Sequence, residues 1–312
     1  MIKPDLTVNL GGIELASPVL AASGPFGYGY EYLKRIDCSA LGAIIVKGVS
    51  ARPWAGNPPP RLAETASGLL NSIGLQNPGL EQFEKEVMPR LKGMAPRLIV
   101  NIVGCDIGEY AEVAGRLDGM EGIDGLEVNI SCPNLRAGGI AFGTDPAETF
   151  NVVSAVRRQT SLPLLVKLSP NVSDITVIAR AAEEAGADGL SLINTLSGML
   201  IDIETKKPLL GNTFGGLSGP ALLPVALKMV WQTAEAVNIP LLGMGGITSA
   251  EDAIQFMMAG ARAVALGTAF FYEPEVAEQV AEGLRGYLEK HEIDAIGKLE
   301  GIARKGGPAD AR

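Results

Sequence analysis

The sequence predicts an α/β chain closed into a (β/α)₈ barrel, and three observations carry that expectation. Short apolar or β-branched runs recur eight times, amphipathic stretches separate them, and no shift of composition or Ser/Gly linker divides the 312 residues. The runs are 18–23, 43–48, 97–104, 125–131, 163–169, 189–195, 240–246 and 263–269. Strands alternating with helices imply right-handed crossovers and a parallel sheet. Eight such units in one chain close most economically as a barrel, whose working residues sit at the C-terminal ends of the strands. A doubly wound open sheet is the competing arrangement, and residues 1–312 are expected to form a single domain.

Taken in order, the chain opens on Met1-Ile2-Lys3-Pro4-Asp5-Leu6-Thr7, which lacks the apolar core of a signal peptide. No stretch approaches the roughly 18 uncharged apolar residues of a membrane span. A cytoplasmic protein with no membrane partner is expected. The first run ends at Ser23 and the second at Lys47-Gly48. From Val49 to Gly79 the chain is rich in Pro and Gly, and a connection this long in a compact domain is usually functional. The third run carries Asn101 and the fourth stops at Asn129-Ile130-Ser131-Cys132-Pro133-Asn134, followed by a glycine-containing stretch suited to a lid. Helix start signals stand at Asp145-Pro146, Asp174 and Ser249. The fifth run ends near Lys167, the sixth at Asn194-Thr195, the seventh at Gly245-Gly246 and the eighth at Gly267-Thr268. A second long Gly-rich connection, 196–217, follows the sixth run, so both long segments leave from the C-terminal face and are placed to roof a pocket or to meet another chain.

Composition narrows the chemistry. A formal charge of −9 repels nucleic acid and anionic lipid, so an acidic substrate needs locally placed lysines. The three cysteines, Cys38, Cys105 and Cys132, are odd in number and without Cys-x-x-Cys spacing, which argues against a disulfide framework or a metal site. The single histidine, His291, lies in a charged segment and reads as a surface residue, so base catalysis must come from another residue type. A thiol beside a proline also fits a buried structural cysteine. Against that stands the convergence of two lysines, several amides and one thiol on successive strand ends. Glycines ending the seventh and eighth runs fall where barrels commonly hold a phosphate through backbone N–H groups.

Six motifs in order, Val46-Lys47-Gly48, 71–79 (Asn-Ser-Ile-Gly-Leu-Gln-Asn-Pro-Gly), 129–134, Ile193-Asn194-Thr195, 215–220 (Gly-Gly-Leu-Ser-Gly-Pro) and 243–247 (Gly-Met-Gly-Gly-Ile), resemble those of class 1 dihydroorotate dehydrogenases. The resemblance runs from about residue 5 to residue 290, and the continuation 137–146 is similar to class 1B, the branch paired with an electron-transfer subunit. The class 2 branch has Ser where this chain has Cys132. What the resemblance implies is oxidation of (S)-dihydroorotate to orotate, in de novo pyrimidine (UMP) synthesis, with FMN as hydride acceptor. It makes Cys132 the base. It assigns the substrate to Lys47, Asn71, Ser72, Ile73, Gly74, Leu75, Asn129, Asn134, Asn194 and Thr195. It assigns FMN to Ser23, Lys47, Gly48, Asn101, Asn129, Lys167, Ile193, Gly219, Gly245, Gly246, Gly267 and Thr268, with no metal. It further implies a partner subunit carrying FAD and a [2Fe–2S] cluster, on which NAD is reduced, around a homodimer core within a heterotetramer. The alternatives are a class 1A homodimer that reduces fumarate and, on the strand-end lysine and phosphate turns alone, a Schiff-base aldolase or isomerase. A flavin-dependent tRNA-modifying barrel also combines FMN with a cysteine, yet no basic surface supports it. A protein without chemistry of its own leaves the convergent residues unexplained.

Overall fold

The computed structural model describes residues 4–30, 32, 38–93, 96–131, 133–134 and 140–305, with the backbone alone described at 133, 134, 140, 141 and 305. Its centre is a closed barrel of eight parallel strands: Val19–Ala21, Ala43–Val49, Leu98–Ile102, Gly125–Asn129, Leu164–Lys167, Gly189–Leu192, Leu241–Met244 and Ala263–Leu266. The eighth pairs with the first, Leu266 opposite Ala21, so no edge is left open. Each of the eight apolar runs of the sequence supplies one strand. Barrel strands are covered inside and out, which is why they read as near-continuous apolar runs rather than alternating ones. Ile44, Ile45, Val100, Leu126, Val128, Leu165, Val166, Leu190 and Leu242 are all without solvent exposure.

Four of the helices outside the barrel start on a capping side chain. Asp145 accepts from the backbone N–H groups of Ala147 and Glu148, Asp174 from that of Thr176, and Ser249 forms a reciprocal box with Asp252. Asp106 caps the helix Ile107–Asp118 in the same way, through Glu109 N–H. Each cap satisfies an orphan donor and stabilises its helix by about 1 kcal/mol.

Two features add to the bare barrel. An antiparallel hairpin, Val8–Leu10 with Ile13–Leu15, lies across the N-terminal end of the strands. A Cβ on Gly125, the first residue of the fourth strand, would come within 2.7 Å of Ile13 Cδ1, and one on Gly11 (φ +60°) within 2.6 Å of the Asp188 carbonyl oxygen. That end is therefore packed shut, and ligand access falls to the opposite face. There, the two long connections read from the sequence as loops pair with each other. Leu196–Gly198, Gly215–Ser218, Gly68–Asn71 and Leu62–Thr65 form, in that order, a four-stranded antiparallel sheet. Short strands rich in glycine give little alternation for a sequence to display, but those glycines are what let the sheet lie close. A Cβ on Gly216 would fall 2.0 Å from Thr195 Oγ1.

Candidate active site

The C-terminal ends of the third to sixth strands deliver polar side chains inward because residues two apart on a strand share a face. Asn101 stands opposite Glu127 in register, and Lys167 stands between Asn129 and Ser191. Glu127 is fully buried, Asn101 and Lys167 nearly so. Asn101 Nδ2 donates to Glu127 Oε2 at 2.6 Å, Ser191 Oγ donates to Oε1 at 2.7 Å, and Lys167 Nζ lies 3.9 Å from Oε2. A Cβ on Gly48 would press to 2.9 Å from Asn101 Oδ1, so the second strand approaches this group as closely as a glycine permits.

Above this layer the amides join. Asn194 Nδ2 donates to Ser131 Oγ at 2.9 Å and lies 3.4 Å from Asn129 Oδ1, while Asn194 Oδ1 accepts from Thr195 N–H. Asn129 is held from behind: the buried Tyr110 hydroxyl donates to its carbonyl oxygen at 2.6 Å. Thr195 is held from the fifth strand's loop, because Asn171 Nδ2 donates to its carbonyl oxygen and Asn171 Oδ1 accepts from Ser197 N–H. Ile193, whose N–H donates to the Met244 carbonyl, links this group to the seventh strand.

The second strand and the long segment after it supply the positive charge. Burial first, and the Arg61 guanidinium second, hold the Lys47 ammonium below the ordinary lysine range. Arg61 in turn braces the segment, donating to Gln76 Oε1 at 2.6 Å and to the Ala55 carbonyl at 3.1 Å, while its own carbonyl accepts from Ser72 N–H. Asn71 Nδ2 reaches the Gly216 carbonyl across the sheet. Ile73 accepts from Asn57 N–H, and Gly74 takes φ +71° with no room for a Cβ, which would meet Asn57 N at 2.6 Å. Leu75, at φ +57°, turns the chain so that its carbonyl accepts from Asn77 Nδ2. Ser72 is buried, and its Oγ has no hydrogen-bond partner among the described residues, so a ligand oxygen or nitrogen here would satisfy it.

The seventh and eighth strands end as glycine turns. Gly245 and Gly246 have φ of +125° and +82°, and Gly219 has +97°. A Cβ on Gly246 would meet Leu223 N at 2.6 Å and the Gly219 carbonyl oxygen at 3.0 Å, so backbone packs against backbone. At Gly267 and at Gly24, which follows Ser23, the backbone faces open space, with nothing nearer than 3.8 Å to a Cβ at the first and nothing within 4 Å at the second. Thr268 Oγ1 donates to Ser218 Oγ at 2.8 Å, tying the eighth strand to the roofing sheet. This combination fits FMN. Backbone and hydroxyl donors with room beside them suit a phosphate, and two cations with buried amides suit a flavin ring that gains negative charge on reduction.

Of the residues named from sequence, Cys132 lies outside the described residues, as does the side chain of Asn134. The backbone of Pro133–Asn134 pairs antiparallel with Ile140–Ala141. Of the others, Ser72, Asn71, Thr195, Asn194 and Asn129 are brought together through Arg61, Gly216 and their own neighbours in the chain, with Lys47 within electrostatic reach of Arg61. His291 is exposed and packs its ring at a tilt against Tyr287, as a surface residue can. The Cys105 thiol, hydrogen-bonded to Glu109, is pushed up to about 11 and is a poor nucleophile. Sequence reasoning passed over Glu127, Ser191, Tyr110 and Asn171. A carboxylate inside the apolar run Leu126-Glu127-Val128 was the available signal.

A closed barrel with one sealed end, and with a buried and a half-buried lysine, amides and glycine turns gathered at the other, defines a barrel enzyme for an anionic, hydrogen-bonding substrate. Comparison with known proteins makes this specific. A family model described as dihydroorotate dehydrogenase matches residues 5–288, and the chain belongs to that family. It is 55% identical over 303 residues to a protein of Pelobacter propionicus, covering 96% of this chain and all of that one. It is 55% identical over 306 residues to one from Desulforudis audaxviator, covering 98% of this chain and all of the relative. A protein of Alkaliphilus metalliredigens is 52% identical over 301 residues, 96% of this chain and 99% of its own length. All three are named dihydroorotate dehydrogenase B (NAD(+)), catalytic subunit.

Proposed function

We propose that this chain is the catalytic subunit of an NAD-linked dihydroorotate dehydrogenase, oxidising (S)-dihydroorotate to orotate in pyrimidine biosynthesis. The observation that carries the reading is the layer of cation and amides, Lys47, Asn71, Asn129 and Asn194, on the open face of a barrel of this family. The relatives' names, which specify NAD and a catalytic subunit, support the acceptor and the need for a second subunit.

The substrate is a carboxylate with two amide edges. Lys47, beside Arg61, supplies positive charge for the carboxylate, which an acidic chain must concentrate locally. Asn71, Asn129, Asn134 and Asn194, with Thr195, offer donors and acceptors that fix the ring, while Ser72 and the turn Ile73, Gly74 and Leu75 close around it. Cys132 takes the proton from carbon 5 on its sulfur, since a thiol near pKa 8.5 needs only a modest depression to work at neutral pH. FMN, when bound, would supply the two-electron acceptor for the hydride at carbon 6; with the carbon 5 proton taken by Cys132, one proton and one hydride leave the substrate and the carbon 5 to carbon 6 bond becomes double. Ser23, Gly48, Asn101, Lys167 and Ile193 hold the ring and ribityl chain, and Gly219, Gly245, Gly246, Gly267 and Thr268 hold the phosphate. Lys167 balances negative charge gained by the ring. Among the described residues no group of three or more His, Cys, Asp or Glu is placed to hold a metal, and no helix is long and apolar enough to cross a membrane. We place the protein in the cytoplasm as one domain over its 312 residues, in a dimer of these chains with two partner subunits bearing FAD and a [2Fe–2S] cluster.

The test is spectroscopic. The purified chain should be yellow, with about one FMN per chain, and anaerobic dihydroorotate should bleach it. NAD reduction should be very slow until the partner is added. A colourless protein that takes up no added FMN overturns the reading. Rapid NAD reduction by the chain alone overturns the role of the partner, and efficient fumarate reduction points to the class 1A reaction.

A further inference from the structure

We infer that Glu127 is a positioning residue that sets how much positive charge Lys167 presents to the flavin. The inference rests on the FMN reading above, and no part of the reaction as described there uses this carboxylate.

A fully buried carboxylate is costly unless hydrogen-bonded and balanced. Glu127 is both. Its two oxygens take separate donors, Ser191 Oγ at 2.7 Å and Asn101 Nδ2 at 2.6 Å, and its only cation within ion-pair range among the described residues is Lys167 at 3.9 Å. These groups come from four adjacent strands of the barrel, the third to the sixth, whose registers are fixed by the ladder. The carboxylate therefore cannot swing away, and the distance to Lys167 Nζ is set by the fold. At 3.9 Å the pair is too long for a hydrogen bond, so the ammonium keeps its own donors for a ligand. The same spacing lets the carboxylate cancel part of the ammonium's field, strongly so in a site shielded from water. By committing Asn101 Nδ2, Glu127 also fixes which way that amide turns: Oδ1, against which Gly48 packs, remains the free end.

The consequence is a definite sign. Reduction adds negative charge to the flavin, so a barrel floor with more net positive charge favours the reduced form. Glu127→Gln keeps the shape and removes the negative charge, leaving Lys167 uncancelled. Ser191→Ala keeps the carboxylate but removes a donor that disperses its charge, so Lys167 is cancelled more fully. The two variants should move the flavin potential in opposite directions, which a merely structural role would not produce.

The experiment is dye-equilibrated photoreduction of the FMN-loaded chain without substrate, for the parent, Glu127→Gln, Ser191→Ala and Glu127→Asp. Glu127→Gln should favour reduced flavin by at least tenfold, a midpoint about 30 mV more positive for a two-electron couple. Ser191→Ala should shift the midpoint the other way, and Glu127→Asp, which retains the charge, should stay nearer the parent than Glu127→Gln does. An unmoved or more negative midpoint in Glu127→Gln overturns the inference. Should that variant lose its flavin, Ser191→Ala decides, and a midpoint equal to or above the parent's overturns it. A parent chain that binds no FMN overturns the functional reading and this inference with it. A yellow parent whose variants do not move overturns this inference alone.

Discussion

Replacing Tyr110 by Phe tests whether the strand end that leads to Cys132 must be braced from outside the barrel. Tyr110 belongs to the helix Ile107–Asp118, is fully buried, and packs edge-on against Phe142 with ring centroids 5.6 Å apart. Its hydroxyl donates to the Asn129 carbonyl oxygen at 2.6 Å. Phe keeps the ring and its packing, so the change isolates one oxygen. A net hydrogen bond contributes about 1 kcal/mol, and leaving a buried acceptor short of its donor costs about 1–3 kcal/mol. For a chain of this size that is a fall in Tm of roughly 2–6 °C, taking about 2 °C per kcal/mol. The kinetic effect should be larger than the thermal one suggests. Asn129 side-chain Oδ1 accepts from Ser131 N–H and faces Asn194, and Cys132 is three residues along. A shift of this strand end by a fraction of an ångström misaligns amide and thiol together, and misplacement by 1 Å can cost about 100-fold. We expect flavin reduction by dihydroorotate in stopped flow to slow at least tenfold, with FMN content unchanged, alongside the drop in Tm by thermal melt. A variant that melts with the parent and reduces its flavin at the parent rate would refute the bracing role.

Three further outcomes follow from the same geometry. Cys132→Ala should still bind FMN and orotate but lose about 10² to 10⁴ in the rate of flavin reduction, as removal of a general base does; a parent-like rate would exclude the thiol as base. Because burial and Arg61 lower the Lys47 pKa, its charge is lost at a lower pH than that of a free lysine; orotate affinity, followed by flavin difference spectra, should weaken as pH rises through that lowered value, and Lys47→Arg should flatten the profile. The linked stability has the sign of a depressed base: between the lowered value and the ordinary 10.5 the unfolded chain holds more protons, so folding stability rises with pH there. Gly246→Ala places a Cβ 2.6 Å from Leu223 N at φ +82°, and positive φ plus overpacking should destabilise by about 2–5 kcal/mol and release FMN on gel filtration; a stable, yellow variant would show the turn is not tight.

How much of this was legible beforehand depends on what each signal requires. The barrel was legible because its strands are doubly buried, and eight unbroken apolar runs survive as pattern with no knowledge of their neighbours. The strand-end residues were legible for a similar reason: Lys47, Asn101, Asn129, Lys167 and Asn194 each lie in the later part of an apolar run, so their place near a strand end follows from local order alone. The roofing sheet was not. Gly68–Asn71 and Gly215–Ser218 are four residues each and meet across some 145 positions of chain, and neither alternates clearly enough to announce a strand. Nor was the hairpin Val8–Leu10 with Ile13–Leu15, whose three-residue strands alternate too briefly to count.

Glu127 shows the deeper limit. Inside Gly125-Leu126-Glu127-Val128-Asn129 it shares a strand face with Asn129, and that parity alone aims it wherever Asn129 aims. Reading Asn129 as inward therefore already commits the carboxylate to the barrel interior, where a charge survives only with partners. Those partners could be anticipated in kind but not by name, because Asn101, Lys167 and Ser191 come from three other strands, and which of them meet depends on barrel stagger rather than on spacing along the chain. The acidic chain thus keeps a carboxylate where it is most expensive, against the buried Lys167 ammonium. A neutral residue at 127 would be cheaper for folding. A carboxylate here makes physical sense where the Lys167 charge is to be held at a set strength, and the flavin potential is the quantity that responds.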